Sequence, residues 1–121
     1  TFDLQASGFF SGSVLENATV TATGNGTARD NASSTSNGGG AFIIATSVSG
    51  TSTPTLTAKI THSADNVSYA DLVTFTALTS AGAEVKEVAL GTTVNRYLKV
   101  VYTVSGTNPS FNVIVGFGRK N

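Results

Sequence analysis

The sequence predicts an all-β fold, a single antiparallel β-sandwich, jelly-roll-like, of seven or eight strands. Three observations carry this. Apolar and polar residues alternate at period two through most of the chain, without a 3.6-residue stripe. Ser and Thr are abundant while Lys and Glu are rare, a composition that suits strands and disfavours helices. Clusters of Gly, Asn, Asp and Pro separate the apolar runs, and strands recur roughly every ten to fifteen residues, the spacing of a sandwich or barrel. The 121 residues suit one domain, 1–121, with one buried core.

The longest apolar feature is the C-terminal third. Residues 96–104 and 111–117 both alternate, and Ser105, Gly106, Thr107, Asn108, Pro109 and Ser110 break them. This pattern predicts an antiparallel hairpin. Upstream, residues 1–15 read as a short strand or an extended N-terminal arm, and residues 16–23 as a strand with Ala18, Val20 and Ala22 on one face. Residues 24–40 contain no large apolar side chain and read as a long polar loop, mobile or ordered by a partner. Residues 41–49 form a core strand, and Pro54 follows a turn. Residues 56–62 and 69–76 pair across a turn at 63–68, and residues 84–90 supply a further strand. The predicted core comprises Leu56, Ile60, Val73, Phe75, Leu98, Val100, Tyr102, Val113, Val115 and Phe117.

Composition narrows the function. Seven basic and seven acidic residues balance and are scattered, so the stripe of a nucleic-acid binder is missing. The chain has no Cys, which excludes disulfides and thiol chemistry. It holds no apolar run long enough to cross a membrane as a helix and no signal-peptide pattern. A small residue such as Thr1 permits removal of an initiator Met, so the chain is expected to be a complete small protein.

Reactive constellations are sparse. His62 is the single histidine and sits at a strand end before Ser63, Asp65 and Asn66, which reads as a surface or turn residue rather than part of a triad. One His without Cys gives no zinc site of the usual kind. Asp30 with Asn31 and Asp65 with Asn66 could offer oxygens to calcium, but neither has the spacing of an EF-hand, and turn chemistry explains both. The glycines of residues 24–40 lack the Lys-Ser/Thr ending of a phosphate loop. Sequons at Asn17, Asn25, Asn31 and Asn66 are unremarkable in so Ser/Thr-rich a chain. Arg96-Tyr97 could form a surface ligand pair, although Tyr97 packing in the sheet is the preferred reading. Glu84, Lys86 and Glu87 read as an exposed strand face. No enzymatic activity, metal or cofactor is expected.

Two families are resembled. Ser63-Ala64-Asp65-Asn66-Val67-Ser68-Tyr69 and Arg96-Tyr97-Leu98-Lys99-Val100 are similar to a turn and a strand of discoidin-like carbohydrate-binding jelly rolls. The chain has no Trp, a common sugar platform. The stretch 55–120, including the Ser105-Gly106-Thr107 and Pro109-Ser110-Phe111 break, resembles small structural proteins of tailed bacteriophages more closely. That resemblance implies a virion protein made in the host cytoplasm, either a head decoration (cement) protein or a small tail-associated one. The decoration reading implies binding of the major capsid protein on the outer capsid surface, as a homotrimer, without nucleic acid or membrane. Its alternative is a tail- or fibre-associated carbohydrate-binding module. The aromatic and aliphatic residues of the arm, Phe2, Leu4, Phe9 and Phe10, are the candidate partner-binding residues, and the arm and polar loop are expected to lie against neighbouring subunits or the shell.

Overall fold

The structure, a computed structural model, describes residues 2–4 and 10–120, with side chains described from Val14 onward. The described residues form eight strands: β1 (Phe2–Leu4), β2 (Phe10–Val20), β3 (Gly24–Asn25), β4 (Arg29–Asp30), β5 (Gly39–Ser63), β6 (Ala70–Thr74), β7 (Gly82–Val88) and β8 (Tyr97–Lys120). Among the described residues there is no helix.

Two long strands carry the architecture. β5 and β8 pair antiparallel over their whole length, from Gly39 opposite Arg119 to Ser63 opposite Tyr97. A straight strand of 24 residues would span roughly 80 Å at ~3.3 Å per residue. Yet the Arg119 guanidinium, at the end of β8, donates to the carbonyls of Val94, Asn95 and Arg96, just before β8 begins. The ribbon therefore doubles back on itself. The fold is an all-β, jelly-roll-like antiparallel sandwich made from one continuous eight-stranded sheet.

The corner is built from residues that tolerate left-handed backbone. Gly50, Ser52 and Thr53 on β5, and Gly106 and Asn108 on β8, all have positive φ. A Cβ on Gly106 would lie 2.8 Å from the Pro54 Cα, so the two strands touch backbone to backbone there. The first layer holds β1, β2, the second half of β8, the first half of β5, and β7. The second holds β3, β4, the first half of β8, the second half of β5, and β6.

Side-chain parity explains why one core results. Ala41, Ile43 and Ala45 of β5 point inward, and so do Leu56, Ala58 and Ile60. The switch from odd to even falls at a register shift between Ala45 and Ser47, since an extra residue turns the strand over. In β8 the inward set is Leu98, Val100 and Tyr102 before the corner, and Phe111, Val113, Val115 and Phe117 after it. All ten predicted core residues are buried in one cluster. Leu15, Val20, Val94 and Phe111 join it, together with Ile43, Ala41, Ala45 and Ala58.

Several connections differ from the sequence reading. The predicted hairpin between residues 96–104 and 111–117 does not form, because both runs belong to β8 and each pairs with β5. Gly, Asn and Pro at 106–109 suit a strand corner as well as a hairpin turn. Residues 24–40 are no free loop. They lie along β8 through β3 and β4 and through a bridge from Thr35 to Val94, with Gly26 N–H donating to Val100 and Asn31 N–H to Arg96. Backbone hydrogen bonds need no apolar side chain, so the ordering contacts come from the chain itself rather than from a partner. The 63–68 turn does join paired strands, β5 and β6.

Core packing yields a direct test. Leu98→Ala empties a fully enclosed site and should cost about 2–5 kcal/mol in urea denaturation. Val67→Ala, at a position 81% exposed, should be near neutral. Equal effects at the two positions would contradict the inward parity of β8.

Candidate functional site

The meeting of the ribbon's two ends forms the most polar interior region. Arg119 is half-buried, and its guanidinium donates to Thr35 Oγ1 as well as to the three carbonyls of residues 94–96. Neutral oxygens thus satisfy a cation that burial alone would disfavour, and burial lowers its pKa. Beside it, His62 is half-buried near the end of β5, and its Nδ1 accepts the Asn95 N–H at 3.0 Å. This corrects the reading of His62 as a surface or turn residue: it fastens one end of the ribbon. Ser63 Oγ donates to Asp65 Oδ1 at 2.9 Å, away from the imidazole, whose Nδ1 is taken by the Asn95 N–H.

Asp65 is occupied by its own turn. Its Oδ1 accepts from the Val67 and Ser68 N–H groups and from Ser63 Oγ, which holds its carboxyl below the usual range. Asp30 is clamped by both arms of the Arg96 guanidinium at 2.6 and 2.8 Å and also accepts the Ala32 N–H. These bonds lower its pKa to about 2. Arg96 also lies 4.9 Å from the Tyr97 ring centroid. Arg96 is therefore engaged within the chain at the surface, pinning residues 29–32 to β8, and Asp30 is the partner the sequence reading missed. Glu84 likewise accepts from Thr76 N–H and Oγ1, bridging the edges of the two layers.

A cleft of about 280 Å³ opens between β2, β3 and β8, lined by Glu16, Thr19, Thr21, Asn25 and Tyr102 among others. Glu16 holds the Thr27 N–H at 3.0 Å and packs flat against Gly26. Tyr102 is 5% exposed, its hydroxyl is buried without a protein partner, and burial followed by the Glu16 charge raises its pKa.

The outer face of the first layer holds apolar residues where alternation would favour polar ones. Val14 on β2, Gly116 on β8, Phe42 on β5 and Val85 on β7 stand in one row across four strands. Asn17, Ile114, Ile44 and Ala83 follow in the next row, and Glu87 lies on the other side of Val85. Val14, Ile44 and Val85 are exposed, Phe42 and Ile114 are half-buried, and Gly116 is buried. The sequence signal was present in Ile43-Ile44, where two apolar residues in succession must serve both faces. Of the candidate partner-binding residues, Phe9 lies outside the described residues. Phe2 and Leu4 fall in β1, and Phe10 opens β2, with Leu4 opposite Phe10 and Phe2 opposite Gly12. Within the expected arm, Phe2–Leu4 thus forms an edge strand of the protein's own sheet.

No protein-family model matches this chain, and no curated protein sequence matches it.

The ribbon seam has a defined pH dependence. Burial, then the charge of Arg119, lowers the His62 pKa from its ordinary 6.5. The unfolded chain then binds this proton more readily than the folded one. Stability is complete above the unfolded value and declines as pH falls through it. The urea midpoint should drop between about pH 7.5 and about pH 5.5. His62→Asn, which keeps a neutral acceptor near the Nδ1 position, should flatten most of that slope. An undiminished slope in the variant would assign it elsewhere.

Proposed function

We propose that this protein is a non-enzymatic virion structural protein, a decoration protein that binds the outer surface of a major capsid protein lattice and stabilises the head. The observation that supports it best is the apolar outer face of the first layer. Contiguous exposed apolar surface marks a place where another macromolecule packs. Asp30–Arg96 and Lys59–Asp71 pair in the second layer, away from this face, on which β7 carries the exposed charge of Glu87 opposite Gly40. Such a surface recognises its partner by shape and apolar burial more than by charge. The sandwich, braced by full-length strand pairing, suits a part that must hold its shape under load. Ile44→Asp places a carboxylate in the middle of this face without touching the core. Its binding to purified capsids should weaken at least about tenfold, with an unchanged melting temperature. Undiminished decoration by a folded variant would overturn the assignment of this face.

The cleft beside Tyr102 favours a second reading, a tail- or fibre-associated carbohydrate-binding module. Thr19, Thr21, Asn25 and Glu16 offer neutral and anionic hydrogen-bonding groups around a small concave site, a donor and acceptor set that suits hydroxyl-rich ligands. Binding to immobilised glycans that Asn25→Ala abolishes and Ile44→Asp preserves would support this reading. Glycan binding indifferent to both substitutions would remove it.

A further inference from the structure

β7 is a sheet edge with an unusual residue order. It pairs with β5 on one side, from Gly39 opposite Val88 to Ala45 opposite Gly82. On its other side no strand pairs with it, and no backbone hydrogen bond reaches residues 82–88 from elsewhere among the described residues. An open edge presents unpaired N–H and C=O groups to any strand that approaches. At its centre Val85 is 72% exposed on the outer face. Opposite charges flank it symmetrically, Glu84 before and Lys86 after, both half-buried on the other face.

Charges at an edge commonly guard it against pairing. The arrangement here selects a partner instead. We propose that β7 is a self-pairing edge, at which two copies of this chain join antiparallel about a twofold axis at Val85. In that register Val85 faces Val85 of the second copy. Glu84 faces Lys86 of the second copy, and Lys86 faces its Glu84, since residues directly opposite in an antiparallel pair lie on the same face. The Glu84 carboxylate keeps its bonds to Thr76 and still has lone pairs for an ammonium group.

The neighbouring registers are disfavoured by the same residues. A twofold centred on Glu84 sets two carboxylates opposite each other, and one centred on Lys86 sets two ammonium groups opposite each other. Those are the two nearest registers that keep outer face with outer face. The repulsion in both gives the pairing its specificity. The apolar row Val14, Gly116, Phe42 and Val85 then runs without interruption into the same row of the second copy. Two first layers become one continuous sheet, with an isologous interface as closed twofold symmetry requires.

A seven-residue edge buries less surface than a permanent dimer interface, so the pair forms at high concentration or where copies are held side by side. The unit of self-association under this proposal is a twofold pair, a different unit from the homotrimer expected from the sequence. The pairing does not depend on the capsid reading and can be measured with the isolated full chain.

Sedimentation of the wild-type chain over increasing concentration should move from 12.3 kDa towards twice that mass. Lys86→Glu should remain monomeric, and so should Glu84→Lys. Mixed together, these two variants restore both opposite-charge pairs and should form a one-to-one dimer, an outcome that a merely structural role for either residue does not produce. Glu84→Lys loses the bond to Thr76, so a second measurement avoids it. The chain contains no Cys, and Val85→Cys should oxidise to a disulfide-linked dimer much faster than Val67→Cys, whose side chain is more exposed. A wild-type chain that stays monomeric at every concentration, with equal oxidation at the two cysteine positions, overturns the proposal. A trimer mass overturns it as well.

Discussion

The antiparallel pairing of β5 with β8 is the constraint from which the remaining structure follows. β2, β3 and β4 hang on β8, while β6 and β7 hang on β5. Neither long strand has a helix or a second sheet to lean on, so the ribbon covers its apolar face by folding over. The core is then the ribbon's own inner surface met twice, with Ile43 and Val115 from one half and Ile60 and Val100 from the other in the same cluster. Paired residues such as Gly39 and Arg119 lie far apart in sequence. Loop-closure entropy is therefore spent before these contacts form, and folding should be slow for a chain of this size.

Folding a ribbon requires a corner and a closure, and both leave marks in the residue types. At the corner, Gly50 and Gly106 allow the strands to approach within a distance that any side chain would obstruct. At the closure, Arg119 reaches across the doubled ends to the carbonyls of Val94, Asn95 and Arg96, of which those of Val94 and Arg96 also accept the Thr35 and Asn31 N–H groups, and His62 takes the Asn95 N–H. A guanidinium suits the task because its donors spread in a plane and satisfy several acceptors together. An uncharged imidazole suits it because a second cation beside Arg119 would be repelled. The single histidine thus has a structural task at the closure.

Much of the fold was legible because burial imposes period two. Leu98, Val100 and Tyr102 announce an inward face irrespective of which strand lies beside them. Pairing was less legible. Nothing in residues 105–110 distinguishes a hairpin from a corner, since Gly and Asn supply positive φ in either setting. The placement of residues 24–40 was hidden for a different reason. Their anchors are backbone N–H groups, the buried tail of Glu16 and the Asp30–Arg96 fork, none of which registers in a hydrophobic pattern. The outer face was partly legible. Ile44 breaks the alternation next to Ile43, and Val85 is an apolar residue between two charges, but only the register shows that both belong to one surface with Val14.

The same register sets glycines at matched positions of the first layer. Gly12, Gly118 and Gly40 stand side by side on β2, β8 and β5, next to the row that holds Val14, Gly116 and Phe42. Glycine costs conformational entropy in a strand and contributes no packing of its own. Gly40, Gly116 and Gly118 are nonetheless buried. A side chain at these positions would need room that an enclosed strip does not offer, and the exposed part of the apolar face is carried instead by Val14, Ile44 and Val85.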